Sequence, residues 1–497
     1  VTGGGEIVER VDVAIIGSGF GGLGMAVELK RMGVTSFTIL EREERVGGTW
    51  RDNSYPGAEC DVPSVLYSYS FHPHTWSSKF PAQVEILDYI EEVVDAYGLR
   101  PNLRFNMNVT DASFDEGTGR WTLTTQGGES VVARVVISSV GQLNRPALPD
   151  IEGLDSFAGP SFHSARWDHS IDLTGKRVGI IGTGASVIQF APEVAKVATT
   201  TTIFQRSAPY VLAKNNPKNP GWLNRVYGLA PALQRVPRAK TFISGELLGL
   251  GILGNEKVRN RLTRLCLENM ESIVTDPVLR KKCTPDYEVG CKRVLFADQW
   301  FQALVKEDVD LVTDPIDRVV AAGIVTEGGV THELDALVFG TGFKATGFLQ
   351  PMKVVGRGGQ SLEDRWREGA SAFRGVSVTG FPNLFFLYGP NTNLGSNTII
   401  YMLEAQARYI ASLLGHARQA NLGTLEVRPG AQEAWEAMIE RFSGPTAWVS
   451  GCHSWYTTEG RNTNNWPRAT WRYGQLMKDV DLLDFDVRPE QPAREAR

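Results

Sequence analysis

A length of 497 residues allows two to four domains, and 42% hydrophobic with 22% charged residues is ordinary for a globular chain. The formal charge of −5 excludes a global basic field for nucleic acid. The five cysteines, Cys60, Cys266, Cys283, Cys291 and Cys452, form no CxxC pair and no Cys/His metal spacing. That usage suits a reducing cytoplasm and leaves no expected metal site, and the opening VTGGGEIVER has no basic-then-apolar pattern of a signal peptide.

Residues 11–16, VDVAII, read as a buried parallel strand. GSGFGG follows, placing Gly17, Gly19 and Gly22 in GxGxxG spacing before the helical LGMAVELKRMG. Gly17 permits the tight turn, Gly19 admits a pyrophosphate close to the backbone, and Gly22 lets the helix pack on the strand. A second strand, SFTIL, ends at Glu41, nineteen residues after Gly22, where an acid can accept hydrogen bonds from a ribose diol. The acid argues against a 2′-phosphate, so this unit is expected to hold FAD or NAD. Gly47, Gly48, Thr49 and Trp50 form a second glycine turn, an extension that NAD binding does not need. Asp61 follows in an aromatic-rich stretch, read either as a loop acid or N-cap or as a carboxylate beside a flavin. Residues 102–125 suggest antiparallel strands with a hairpin at Asp115–Gly119, and VVARVVISSVG returns to a buried strand ending at Gly141.

Phe157–Asp168, FAGPSFHSARWD, shows no strand or helix period and is unusually aromatic for a connection. Beyond it KRVGIIGTGASVIQFAPEVA repeats strand, glycine turn and helix, with Gly182 and Gly184 in place but Val187 at the third glycine position. Helix and strand are therefore expected to sit slightly further apart there. The next strand ends at Arg206, where the first unit has Glu41; an arginine there can pair bidentately with a 2′-phosphate, so this unit is expected to prefer NADP. Residues 214–285 lose the α/β alternation and read as a helical insertion, the usual material of a substrate cover. Within it LLGLGIL, 247–253, is too short to span a bilayer and reads as a buried or lid helix, with an interfacial helix as the lesser alternative. Lys292 and Arg293 lie between a glycine turn and an apolar segment, an arrangement that solvated cations also adopt.

HELDALVFGTGF carries a strand into Gly340, Thr341 and Gly342. GFPNLFFLYGPNTNLGSNTIIYMLEAQARYI then gives strand, loop and long helix. The expected organisation is α/β, and the order of these segments resembles that of two-dinucleotide flavoproteins, which implies an FAD-binding domain over 1–150, a linker over 151–171, an NADP-binding domain over 172–335 with the helical insertion over about 214–285, and a return to the FAD domain over 336–497 ending in an aromatic, site-closing tail.

Two dinucleotide fingerprints joined by Phe157, Gly159, His163, Trp167 and Asp168 in FxGxxxHxxxWD resemble the type I Baeyer–Villiger monooxygenases. GGTW at 47–50, YPGAECDVPS at 55–64 and GCKR at 290–293 agree, while Val187 and the SVG and GTG turns depart from the usual pattern. The resemblance implies two dinucleotide-binding domains carrying FAD and NADP, and oxygen insertion beside a ketone carbonyl through a C4a-peroxyflavin to give an ester or lactone. It implies Arg293 as the catalytic arginine and Asp61 as the acid that pairs with it. Lys292 and Arg206 become the 2′-phosphate grip and Trp455 a tail contact to NADP. Phe20, Tyr67, Thr183, Ala185, Ser186, Gln189 and Ser207 join the glycine turns as expected cofactor-binding residues. The partners implied are O2 and a small hydrophobic ketone, with no nucleic acid, no integral membrane segment, and a monomer or weak homo-oligomer. His163, on the hinge, is expected to couple domain movement more than to act as a base. The resemblance also implies sulfoxidation as an accompanying activity, while the competing readings are a flavin monooxygenase that oxygenates sulfur or nitrogen in place of ketones and a non-oxygenating FAD/NADP redox sensor. A disulfide reductase would need two closely spaced cysteines near the flavin, and only Cys60 lies in that region.

Overall fold

The computed structural model describes residues 7–449 and 456–489. The first sheet is built around Ile7–Ile16, which pairs in parallel with Phe37–Leu40 on one side and Ser130–Ser138 on the other. Their near-continuous apolar runs are buried because both faces of the sheet are covered. Side chains alternate between those faces: Val13 and Ile15 join the core under helices Phe20–Arg31 and Ile399–Gln419, while Ala14 and Ile16 join a second core with Trp121 and Phe386. The strands Val109–Asp115 and Arg120–Thr125 form the expected hairpin, closed by Asp115 Oδ1 accepting from the Gly117 amide at 2.8 Å. Leu384–Phe386 returns in parallel beside Ser130–Ser138, so the last third of the chain re-enters the first unit.

The second sheet runs Val309–Val312, Thr200–Phe204, Arg177–Ile181, Ala336–Phe339 and Ser161–His163, all parallel. Two expectations change here. The strand Ala336–Phe339 belongs to this sheet, so the second unit extends beyond 335 to the Gly340 turn. Ser161–His163, read as period-free linker, is an edge strand in register with Leu337–Phe339. Three residues are too few for a period to show, and the pairing depends on Gly159: a Cβ there would meet the Asp335 carbonyl oxygen at 2.6 Å.

The insertion is helical as expected, with helices Gly221–Leu229, Arg235–Ile252, Glu256–Glu271 and Pro277–Cys283. Asn255 and Asp276 cap the last two by accepting from the Val258 and Leu279 amides. The 247–253 stretch is not uniformly buried: Gly249, Gly251 and Ile252 face inward, whereas Leu247 and Leu250 face solvent. Among the described residues no helix is long and apolar enough to cross a membrane.

Candidate active site

The two sheets present the ends of their parallel strands to one continuous cleft of about 1790 Å³, above the ~300–1,000 Å³ of a single small-ligand pocket. On the first side Gly17 has φ +101°, and a Cβ would lie 2.5 Å from the Ser139 carbonyl oxygen. The SVG departure thus falls where the turn meets the neighbouring strand end. Gly19 and Gly48 face each other across the turn, and apart from the Gly48 Cα at 3.9 Å a Cβ on Gly19 would meet nothing. This open backbone cradle, at the N-terminus of helix Phe20–Arg31, fits a pyrophosphate.

Glu41 is buried at its strand end. Its Oε2 accepts from the Ser18 amide at 3.0 Å and the Ser18 hydroxyl at 2.6 Å, and Oε1 pairs with Arg51 at 3.0 Å. The carboxylate is therefore tied to the glycine turn as well as facing the cleft. Trp50 Nε1 donates to the Tyr67 hydroxyl at 3.0 Å, and Tyr67 packs edge-on against Phe20. Phe20, Gly48, Thr49, Trp50 and Tyr67 all line the cleft. Gly22 does not: a Cβ there would meet the Gly17 carbonyl oxygen at 2.0 Å, so its task is helix-to-turn packing.

On the second side Gly182, Thr183, Gly184, Ala185 and Ser186 line the cleft. Gly182 has φ +112° and sits under the Gly340 carbonyl oxygen, so the GTG turn takes the place that SVG takes in the first unit. Val187 is fully buried, and a Cβ on Gly340 would lie 2.0 Å from its Cγ2. The departure at the third glycine position is thus accommodated by the opposite turn, which supplies a glycine to make room. The helix itself begins at Val187, five residues after Gly182, whereas the first begins three residues after Gly17.

Arg206 is exposed at its strand end, and Lys292 Nζ donates to Ser207 Oγ at 2.6 Å. Burial and the neighbouring Arg206 lower the Lys292 pKa, with Asp286 opposing. Two converging cations and a hydroxyl form a site suited to a phosphate dianion. Gln189 lines the cleft but spends its amide elsewhere: Nε2 donates to the Glu59 carbonyl at 2.9 Å and Oε1 accepts from the Tyr55 hydroxyl at 3.0 Å. It therefore clasps the second unit to the 55–59 loop of the first.

Between the two nucleotide sides, Arg293 reaches from the second unit to Asp61 of the first, donating to Oδ1 at 2.7 Å. Asp61 raises the arginine pKa above its usual value despite burial, with Tyr456, Tyr388 and Cys60 adding smaller effects in the same direction. The guanidinium is thus held as a permanent cation with donors left for a developing anion. Around it burial raises the Tyr388 hydroxyl pKa, lifts that of Tyr456 to about 12, and raises that of the Cys60 thiol. These groups stay neutral across the physiological range. Tyr388, at φ +62°, donates to Asn393 Oδ1 at 2.6 Å. Another cross-unit pair, Lys214 with Glu59 at 2.6 Å, anchors the start of the insertion.

Tyr55, Glu59, Lys214, Tyr388, Asn393 and Tyr456 were not singled out by sequence. Tyr55 and Glu59 stood inside the quoted YPGAEC motif, whereas Lys214 and Tyr456 carry no local signal. Trp455 lies outside the described residues. Cys60, Cys266 and Cys283 are free thiols, but Cys291, beside Lys292, is disulfide-bonded, which the scattered spacing did not announce.

The fingerprint residues lie outside the cleft. Phe157 packs in a satellite core, Trp167 packs edge-on against Phe162 and Phe190, and Asp168 accepts from the Ser170 amide and hydroxyl. His163 is buried; Nδ1 accepts from the Ala165 amide at 3.1 Å, and the ring packs edge-on against Phe343 of the GTG turn. Burial lowers its pKa, with Gly342 opposing.

Residues 14–229 match the family described as pyridine nucleotide-disulphide oxidoreductase. The chain is 42% identical over 496 residues to a Baeyer–Villiger monooxygenase of Streptomyces coelicolor, covering 98% of this chain and 95% of that one. Among solved structures, a closed form of cyclohexanone monooxygenase is similar at TM-score 0.89 and 28% identity, covering 97% of this chain and 99% of that one. An oxidized steroid monooxygenase bound to NADP is similar at TM-score 0.88 and 30% identity, covering 97% and 100%. The disulphide chemistry in the family description needs a redox-active cysteine pair, and Cys60 near the first nucleotide side is a free thiol. With that near-full-length identity and the joined nucleotide cradles, the chain belongs to the Baeyer–Villiger monooxygenase family, a group of flavoprotein monooxygenases.

Proposed function

We propose that this chain inserts one oxygen atom from O2 beside the carbonyl of an apolar ketone, yielding an ester or lactone, with FAD on the Glu41 side and NADPH on the Arg206 side. The observation that carries this reading is the Arg293–Asp61 pair, placed where the two nucleotide sides meet. When bound, NADPH supplies the hydride, and reduced FAD activates O2 and delivers an oxygen atom.

The protein's part is positional and electrostatic. Gly19 and Gly48 hold the pyrophosphate against backbone, and Trp50 and Tyr67 wall the flavin side. Arg206, Lys292 and Ser207 hold the 2′-phosphate and so choose NADPH over NADH. Arg293 presents a fixed cation where negative charge builds up on oxygen, and as a guanidinium it cannot quench that charge by giving up a proton. Asp61 positions it. Leu394, Ile399 and Leu403 give part of the cleft an apolar lining suited to an apolar ketone.

Sulfur or nitrogen oxygenation needs an electrophilic oxygen and gains nothing from a cation that keeps oxygen anionic, so the Arg293–Asp61 pair favours ketones. The test is a ketone panel with NADPH and O2, scoring products by mass against hydrogen peroxide. Sulfoxide or N-oxide formation with no ester from any ketone would overturn the reading, and NADPH oxidation yielding peroxide alone would remove oxygenation altogether.

A further inference from the structure

The insertion turns apolar residues outward. In helix Gly221–Leu229 no residue is buried, and Trp222, Val226 and Leu229 lie at i, i+4 and i+7, one helical face, with Trp222 66% and Leu229 89% exposed. An ordinary surface helix directs that stripe to the core. Helix Arg235–Ile252 repeats the inversion: Val236, Ile243, Leu247 and Leu250 lie at i, i+7, i+11 and i+14, all solvent-facing, with Val236 74% exposed.

The second helix is anchored on its opposite face, so this orientation is built in. Arg238 donates to the Val65 and Ser68 carbonyls at 2.9 and 3.0 Å, Gly245 and Gly249 lie against Ser396, and Asn397 Nδ2 donates to Glu246 Oε1 at 2.8 Å. Leu394, Asn397 and Ile399 line the cleft, so the helix stands between the cleft and solvent.

Charge identifies the occupant. Residues 221–252, which span the two helices, contain four Lys or Arg and one Glu, a net +3 in a chain whose total is −5. Arg225, Arg235 and Lys240 are exposed beside or within the stripes, and no ion pair involving them occurs among the described residues. Glu246, the one acid in these helices, is turned inward to Asn397 and Thr470. A second copy docked through the same face would set net +3 against net +3. An outward Trp and Leu stripe flanked by unpaired Arg and Lys is the composition of a helix lying in a lipid interface.

We propose that the face formed by helices Gly221–Leu229 and Arg235–Ile252 docks on an anionic phospholipid surface, as a peripheral contact independent of the oxygenation chemistry. The experiment is flotation of the full-length holoprotein with vesicles of equimolar phosphatidylglycerol and phosphatidylcholine, and with phosphatidylcholine alone. The expected result is co-flotation with the anionic vesicles, weakened by salt and at least tenfold weaker on phosphatidylcholine alone. The variant Trp222→Ser/Leu229→Ser/Ile243→Ser/Leu247→Ser and the variant Arg225→Glu/Lys240→Glu should each lower partitioning at least tenfold. Both should retain their flavin and turn over a soluble ketone at the unaltered rate without vesicles. Absence of flotation, flotation equal on both vesicle types, or flotation indifferent to either variant would overturn the proposal. So would a dimer in light scattering that the serine variant converts to monomer, since a second copy would then own the face.

Discussion

The two nucleotide-binding units share a strand, a glycine turn and a helix, yet they differ at the end of the second strand and in the first turn of the helix. In the first unit a buried Glu41 is tied to Ser18 and Arg51. In the second an exposed Arg206 stands beside Lys292. On the proposed reading, the same backbone scaffold takes opposite partners, a ribose diol or a 2′-phosphate, through the charge of one residue at a strand end. The helix starts teach a second lesson. Gly22 lets the first helix lie on its own turn, whereas Val187 is admitted because Gly340, from a distant strand, leaves it space. A position that departs from the fingerprint is repaired by a residue 153 positions away in the sequence.

The largest expected effect comes from cutting the contact between the units. Arg293→Ala should lower ester formation by about 10²–10³-fold in kcat, while bound FAD and NADPH oxidation persist and hydrogen peroxide replaces product. Product mass and peroxide assays decide this, and unchanged coupling would remove Arg293 from the chemistry.

The charge contrast predicts the next effect. Arg206→Ala and Lys292→Ala should each raise the KM for NADPH by roughly 10–100-fold, the scale of one charge-assisted hydrogen bond, and leave NADH turnover nearly unchanged. Lys292 has a lowered pKa, so it loses its proton, and with it its pull on phosphate, at lower pH than an ordinary lysine. The KM for NADPH should therefore rise on the alkaline side. In Arg206→Ala, where the like charge is gone, that rise should move to higher pH. A KM profile that is flat, or unmoved by the substitution, would break the assignment.

The packing contrast is testable by stability. Gly340→Ala should destabilise by about 1–3 kcal/mol through overpacking against Val187, and Val187→Ala should relieve it in the double variant. Independent, additive effects in denaturant unfolding would show that the two residues do not share the space.

The smallest expected effect concerns the joint. His163 is buried, hydrogen-bonded within its own turn and packed against Phe343. His163→Ala should reduce coupling of NADPH oxidation to product by a few-fold while FAD remains bound. Normal coupled turnover would end its proposed part in relating the two units.

Much of this was legible in the sequence because it is local. A strand, its glycine turn and the following helix occupy about thirty consecutive residues, and periodicity with turn chemistry suffices to read them. Glu41 and Arg206 were found by counting from those glycines. The Asp61–Arg293 pair was reached only through the family resemblance, since no spacing rule joins residues 232 apart. The edge strand Ser161–His163 escaped because three residues have no period, and Ala336–Phe339 was assigned to the wrong unit because an apolar strand does not name its sheet. Gln189, read as a cofactor contact, lines the cleft, and the sequence did not announce that its amide also bridges to Glu59 and Tyr55.

By itself the sequence determined the two nucleotide units, their opposite charges and the helical character of the insertion, because each depends on residues within a few turns of one another. Only the tertiary structure decided that Gly340 makes room for Val187, that Tyr388 and Tyr456 stand near the Arg293–Asp61 pair, and that the apolar stripe of the insertion faces outward. Those are consequences of chain packing across long separations, where the position of each side chain is set by what the rest of the fold places against it.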